Sequence, residues 1–189
     1  MPNYCDYEMK VVGNEESIKE FIKVMNSNYN YHTMEFDFDR HMGGRVFEVE
    51  TTEDIVEQEN GKFYTTIYGY CAWSVYSCMF EGAHTYYSQL KEEYGEKCRS
   101  TTIPIESKRL NLDIEIYSKE SGMAFQEHYL VKQGTIELDE ECEYTEYYLD
   151  DYETKEEAER ELEIKITDYE WDEGGYISRG GFEEWSYEI

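Results

Sequence analysis

Asp37, Asp39 and His41 in the stretch EFDFDRH lie at i, i+2 and i+4. A continuous strand carries all three on one face, with Glu35 extending it. Two carboxylates and an imidazole suit a hard or borderline cation. The competing reading is a solvated polar face opposite Met34, Phe36 and Phe38, which explains the same alternation with nothing bound. Ser74 and Ser77 stand near Cys71, Cys78 and His84, the residue types of a nucleophile and its base. No G-x-S-x-G, Walker or G-x-G-x-x-G motif accompanies them, and no EF-hand loop occurs. The five cysteines, Cys5, Cys71, Cys78, Cys98 and Cys142, are an odd number without a C-x-x-C pair, so buried free thiols are expected instead of disulfides or zinc. The expectation is therefore no catalytic residue, no enzyme and no cofactor, with Asp37, Asp39 and His41 the only candidate metal ligands.

A different chemistry is concentrated in ELDEECEYTEYYLDDYETKEEAERELE, residues Glu137 to Glu163, which holds fourteen acids, two bases and four tyrosines. Like charge at this density opposes compaction, and a disordered acidic tail would be poor in aromatics. The chain as a whole has 44 Asp plus Glu against 17 Lys plus Arg, a formal charge of −27. That exceeds what solubility asks of a small domain. Residues 137–189 hold 21 acids and 4 bases, net −17, whereas residues 1–136 hold 23 and 13, net −10.

Of the 189 residues, 40% are hydrophobic and 16% aromatic, with only 2 Pro, a composition that can bury a core. No apolar run approaches the roughly 18–20 residues of a membrane span, and MPNYCDYEMK lacks the basic and apolar regions of a signal peptide. A cytoplasmic protein is expected.

Alternating polarity predicts a strand through Cys5, Tyr7, Met9 and Val11. Ile18, Phe21, Ile22 and Met25 predict a helix over about 15–26, with Ser17 and Glu20 as its capping box. Met34 to Phe38 and Phe47 to Val49 flank Gly43-Gly44 as a hairpin, and KFYTTIYGYCAW reads as a strand followed by a helical VYSCMF capped by Ser74. YYSQLKEEYG ends like a helix at Gly95. LNLDIEIYS reads as a strand from Leu110, and EHYLVK and TIELDE flank Gln133-Gly134 as a hairpin. Thr154 and Glu157 form a capping box for TKEEAERELE, and EIKITDYEW reads as a last strand. Together these predict an α+β fold with helices on one face of an antiparallel sheet. Two parts are expected, residues 1–61 as a strand-helix-hairpin segment packed on the main domain and residues 62–189 as that domain with an acidic strand-helix-strand extension; the alternative is one single domain overall.

MPNYC, CAWS at a strand end and SKESGMAFQEHYLVKQGTIE resemble the YubB-type ferredoxin-like domain family of phage and plasmid proteins, best over Lys62 to Glu137. The resemblance implies a ferredoxin-like sheet and a mobile-element habitat. It transfers no catalytic residue, and this chain differs from the common pattern at Tyr4, in an insertion after CAWS and in its acidity.

The cations Lys97, Arg99, Lys108 and Arg109 are too few, against −27, to make a nucleic-acid binder. The complementary partner is a basic surface that itself holds DNA or RNA. Alternate acids on a strand repeat at roughly 7 Å, comparable to successive phosphates. Glu137, Asp139, Glu141, Glu143, Glu146, Asp150, Asp151, Glu156 and Glu157 are the expected contacts, with Tyr147 and Tyr148 as anchors. With the implied habitat, this reads as a nucleic-acid mimic inhibiting a host defence enzyme, an anti-CRISPR protein in the groove of a Cas nuclease. The alternative is a small-ligand or metal-binding accessory protein.

Overall fold

The computed structural model describes residues 3–27, 29–30, 35–36, 40–42, 46–51, 54–80, 99–182 and 185–189. It is a mixed α+β structure built on a large antiparallel sheet. In chain order the elements are β1 (Tyr4–Gly13), α1 (Glu15–Met25), β2 (Tyr29–Asn30), β3 (Glu35–Phe36), β4 (Arg40–Met42), β5 (Val46–Thr51), β6 (Val56–Glu57), β7 (Phe63–Ala72), α2 (Tyr76–Met79), β8 (Arg99–Thr101), α3 (Ile103–Leu110), β9 (Asp113–Glu120), β10 (Phe125–Lys132), β11 (Thr135–Tyr148), α4 (Lys155–Leu162), α5 (Asp168–Glu173) and β12 (Tyr176–Gly180). The sheet order is β12-β11-β10-β9-β1-β7-β5, with β6 also paired to β7. Each helical connection skips one strand: β1 reaches β5 through α1 with β7 between them, and β7 reaches β9 through α3 with β1 between them.

The alternation of β1 decides its faces. Cys5, Tyr7, Met9 and Val11 are buried and pack with Ile18, Phe21, Val24 and Met25 of α1 in the main core. Four such side chains from one short helix contribute on the order of 1.5–3 kcal/mol each by leaving water. The helix is capped by Asn14, whose side chain accepts from the Ser17 amide at 2.8 Å, so the expected Ser17–Glu20 box is replaced by a cap one turn earlier.

Several expectations are corrected. Leu110 closes α3 and does not open a strand; Thr102 caps that helix, and Asn111 ends it in the left-handed region at φ 54. EIKITDYEW is not a strand: Thr167 and Glu170 form a full capping box that starts α5, and the strand comes later, at Tyr176. Among the described residues the hairpin expected from residues 34–38 and 47–49 is not formed: β3 pairs antiparallel with β2 and β5 antiparallel with β7, while β4 pairs in parallel with β8. Glu106 of α3 cements the β4–β8 pair, accepting from Arg40, Arg109 and Thr101 at 2.6–2.8 Å. Burial alone would raise the Glu106 carboxyl, but these donors outweigh it and hold it below the ordinary range. The helix expected to end at Gly95 lies outside the described residues.

A second, smaller core joins Leu149, Ala158, Ile166 and Ile177, with Tyr147 and Trp171 packed against it. It lies under α4, α5 and β12.

Gly69 of β7 permits the closest approach in the sheet. A Cβ there would lie 1.9 Å from the Glu48 carbonyl oxygen and 2.9 Å from the Tyr7 hydroxyl, which donates to that carbonyl at 2.9 Å. Backbone cannot yield as a side chain does, so Gly69→Ala is expected to lower the unfolding free energy by about 1–3 kcal/mol. Urea denaturation checks this, and an unchanged midpoint would show that β5 moves freely.

Candidate acidic binding surfaces

β11 follows from the tight turn at Gln133 (φ 48) and Gly134 (φ 89), the positive pair a two-residue hairpin demands. A register shift between Leu130 and Val131 pairs Leu130 with Leu138 and Val131 with Ile136, leaving Glu137 as the extra residue. Beyond this bulge Asp139, Glu141 and Glu143 stand opposite Tyr129, Glu127 and Phe125, on one face of the strand and exposed. Among the described residues none of the three makes an ion pair. Burial raises the Tyr129 phenol, and the charges of Glu127 and Asp139 raise it further.

The other expected acids divide by the work they do within the fold. Glu137 pairs with Lys132 at 3.0 Å, and Glu146 pairs with Lys119 at 3.0 Å with both side chains largely covered. Asp150 accepts from the Gly175 amide at 3.1 Å and so shapes the approach to β12. Glu157 donates its amide to Thr154 at 3.2 Å, but its carboxylate returns to the Glu153 amide, one residue before the cap. Asp151 and Glu156 are exposed. Tyr147 is half-buried in the second core, whereas Tyr148 is 59% exposed beside Tyr176.

Asp37 and Asp39 lie outside the described residues. His41 is fully buried in β4, and burial pushes its imidazole down to about 4, so the ring is neutral at physiological pH. It lies in the interior, contrary to the solvated strand face read for this stretch. Among the described residues no group of three or more His, Cys, Asp and Glu is placed to hold a metal ion, and no helix is long and apolar enough to cross a membrane.

The sheet face opposite Asp139 and Glu141 carries a second acidic surface that sequence reading missed. Its register aligns Glu50, Tyr68, Glu8, Tyr117, His128 and Glu140 in one row, and Glu48, Tyr70, Asp6 and Lys119 in the next. The C-terminal residues cross part of this face. Trp185 stacks on Tyr117 with centroids 5.6 Å apart, Tyr187 donates to Glu8 at 2.9 Å, and the Glu188 amide donates to Glu115 at 2.6 Å. Beside that crossing lies a cleft of ≈ 460 Å³ lined by Asp6, Tyr7, Glu8, Glu48, Glu50, Tyr68, Gly69, Tyr70 and Trp185. Each strand alternation was visible in the sequence; the order that sets β1, β7 and β5 side by side was not.

A third acidic group is internal. Glu127 of β10 is 2% exposed and accepts from Ser74 Oγ, Ser118 Oγ, Tyr129 Oη and the amides of Val75 and Tyr76 at 2.7–3.2 Å. It ties the start of α2 to the sheet.

The chain matches no family model, no curated protein and no solved structure.

Proposed function

We propose that this is a binding protein whose acidic strand enters a basic groove that otherwise holds nucleic acid, inhibiting the enzyme that owns the groove. The observation that carries the reading is the run Asp139, Glu141 and Glu143: alternate positions of one strand face, exposed, and without an ion pair among the described residues. Acids engaged in internal bonds have their charge answered locally, whereas these leave theirs to a partner. Asp151 and Glu156, also exposed, add to the negative field.

The order β9-β1-β7-β5, with two helical connections that each skip a strand, supports a ferredoxin-like core. β11, α4, α5 and β12, with their own small core, then form an acidic extension on it. This agrees with the phage and plasmid family that the sequence resembles, and makes a host-cell cytoplasmic defence nuclease, such as a Cas effector, the first target to try.

The test is competition. A target nuclease is immobilised either free or loaded with its RNA and DNA, and binding is followed at two salt concentrations. Loading is expected to weaken binding at least about 100-fold, and salt to slow association more than it speeds dissociation. Equal binding to free and loaded enzyme would sink the mimic reading.

A further inference from the structure

We infer that the cleft between β1, β7 and β5 takes the guanidinium of an arginine side chain carried by a segment of a protein partner. The site lies on the sheet face opposite Asp139, Glu141 and Glu143, and is independent of the groove-filling role proposed above.

Its walls combine two features that few ligands use together. Asp6, Glu8, Glu48 and Glu50 bring four carboxylates to the lining. Tyrosine hydroxyls fix two of them: Tyr187 donates to Glu8 and Tyr68 to Glu50. A phenol orients a carboxylate without cancelling its charge, and leaves lone pairs free for another donor. Lys119, the cation that faces Asp6, is bound to Glu146. Burial raises the Asp6 carboxyl, and Lys119 only partly opposes that rise. The remaining walls are the rings of Tyr68, Tyr70 and Trp185.

A planar guanidinium can stack on a ring while its in-plane N–H groups reach carboxylates at the edge; an ammonium is a compact, strongly hydrated charge and does the two jobs less well together. A bare metal ion fits poorly, because no three of these carboxylates are placed to hold one and tyrosine rings offer it nothing. The surroundings favour an arginine within a chain over a free small molecule. Tyr4 and Phe47 are 56% and 37% exposed, and pack edge-on or tilted against Tyr70 at 5.1 and 5.9 Å, continuing the aromatic wall outside the cleft. An apolar residue next to the arginine would cover that ledge, which a free guanidine leaves wet.

The test is NMR titration of the full chain with the capped peptide Gly-Ser-Leu-Arg-Ser-Gly, with versions bearing lysine or citrulline for arginine or glycine for leucine, and with arginine amide. The arginine peptide is expected to saturate, shifting the Trp185 indole, and to bind at least about tenfold tighter than each other probe. Tyr68→Ala and Glu50→Gln should each weaken it about tenfold with the fold intact by spectrum, while Asp139→Asn with Glu141→Gln should leave it unchanged. Equal binding of the lysine peptide would reduce the effect to diffuse attraction by a negative protein. Arginine amide binding as tightly as the peptide would assign the cleft to a small molecule. No saturation, or loss in the β11 variant instead, also overturns the inference.

Discussion

Glu127→Ala will lower the unfolding free energy by about 3–5 kcal/mol, a large part of what holds a domain of this size together. The carboxylate answers five donors: two serine hydroxyls, one tyrosine hydroxyl and two amides at the start of α2. Removing it leaves those donors in a site that is 2% exposed, and an unanswered buried donor costs about 1–3 kcal/mol, less whatever an entering water restores. Glu127→Gln should lose nearly as much, since it replaces one accepting oxygen by a further donor among donors. The control is Glu141→Ala, directly opposite on β11 but exposed, expected within about 0.5 kcal/mol of the parent. Urea unfolding decides it, and a loss below about 1 kcal/mol for Glu127→Ala would show that water already serves these donors.

Glu127 also marks the limit of what could be read from the amino-acid order. EHYLVK announced a strand correctly, and Gln133-Gly134 announced its hairpin, because the first depends on propensity and the second on backbone angles two residues can supply. Gln126, Glu127 and His128 are polar, yet all three are buried, since β10 is internal and covered on both faces. On one side lies the start of α2; on the other Phe182 packs edge-on against His128 and its amide donates to Gln126. These partners are more than fifty positions away in sequence, so no local pattern could reveal them.

The same reason explains the misread end. EIKITDYEW alternates well enough for a strand, but Thr167 and Glu170 satisfy each other's neighbouring amides and start a helix there. Arg179 from β12 then bonds Glu170 at 2.8 Å; that contact and the Thr167 amide hold its carboxyl down at about 2. A local cap and a partner from the next strand together outweigh alternation. The acidic stretch was legible as charge but not as use: Glu146 and Asp150 resemble Asp139 and Glu141 in sequence, and only packing shows that the first pair is engaged internally.

That division sharpens the second large effect. Asp139→Lys, Glu141→Lys and Glu143→Lys together should weaken binding to the basic target more than about 1,000-fold, because three attractions become three repulsions in one strand face. The fold should tolerate them: the side chains are exposed, and relieving the crowding of like charge along β11 offsets any lost solvation. Reversing Glu146 and Asp150 instead would strand Lys119 and the Gly175 amide, so a loss of binding there would report damage to the second core, not a lost contact. The control reverses Glu15 and Glu16 on α1, where Lys19 already answers both at 2.7 and 3.0 Å. Binding kinetics of both sets, with unfolding midpoints alongside, separate contact from stability. A triple variant that keeps its midpoint and binds as the parent does would place the partner's footprint elsewhere, and equal losses from the α1 reversals would mean that the partner senses only total charge.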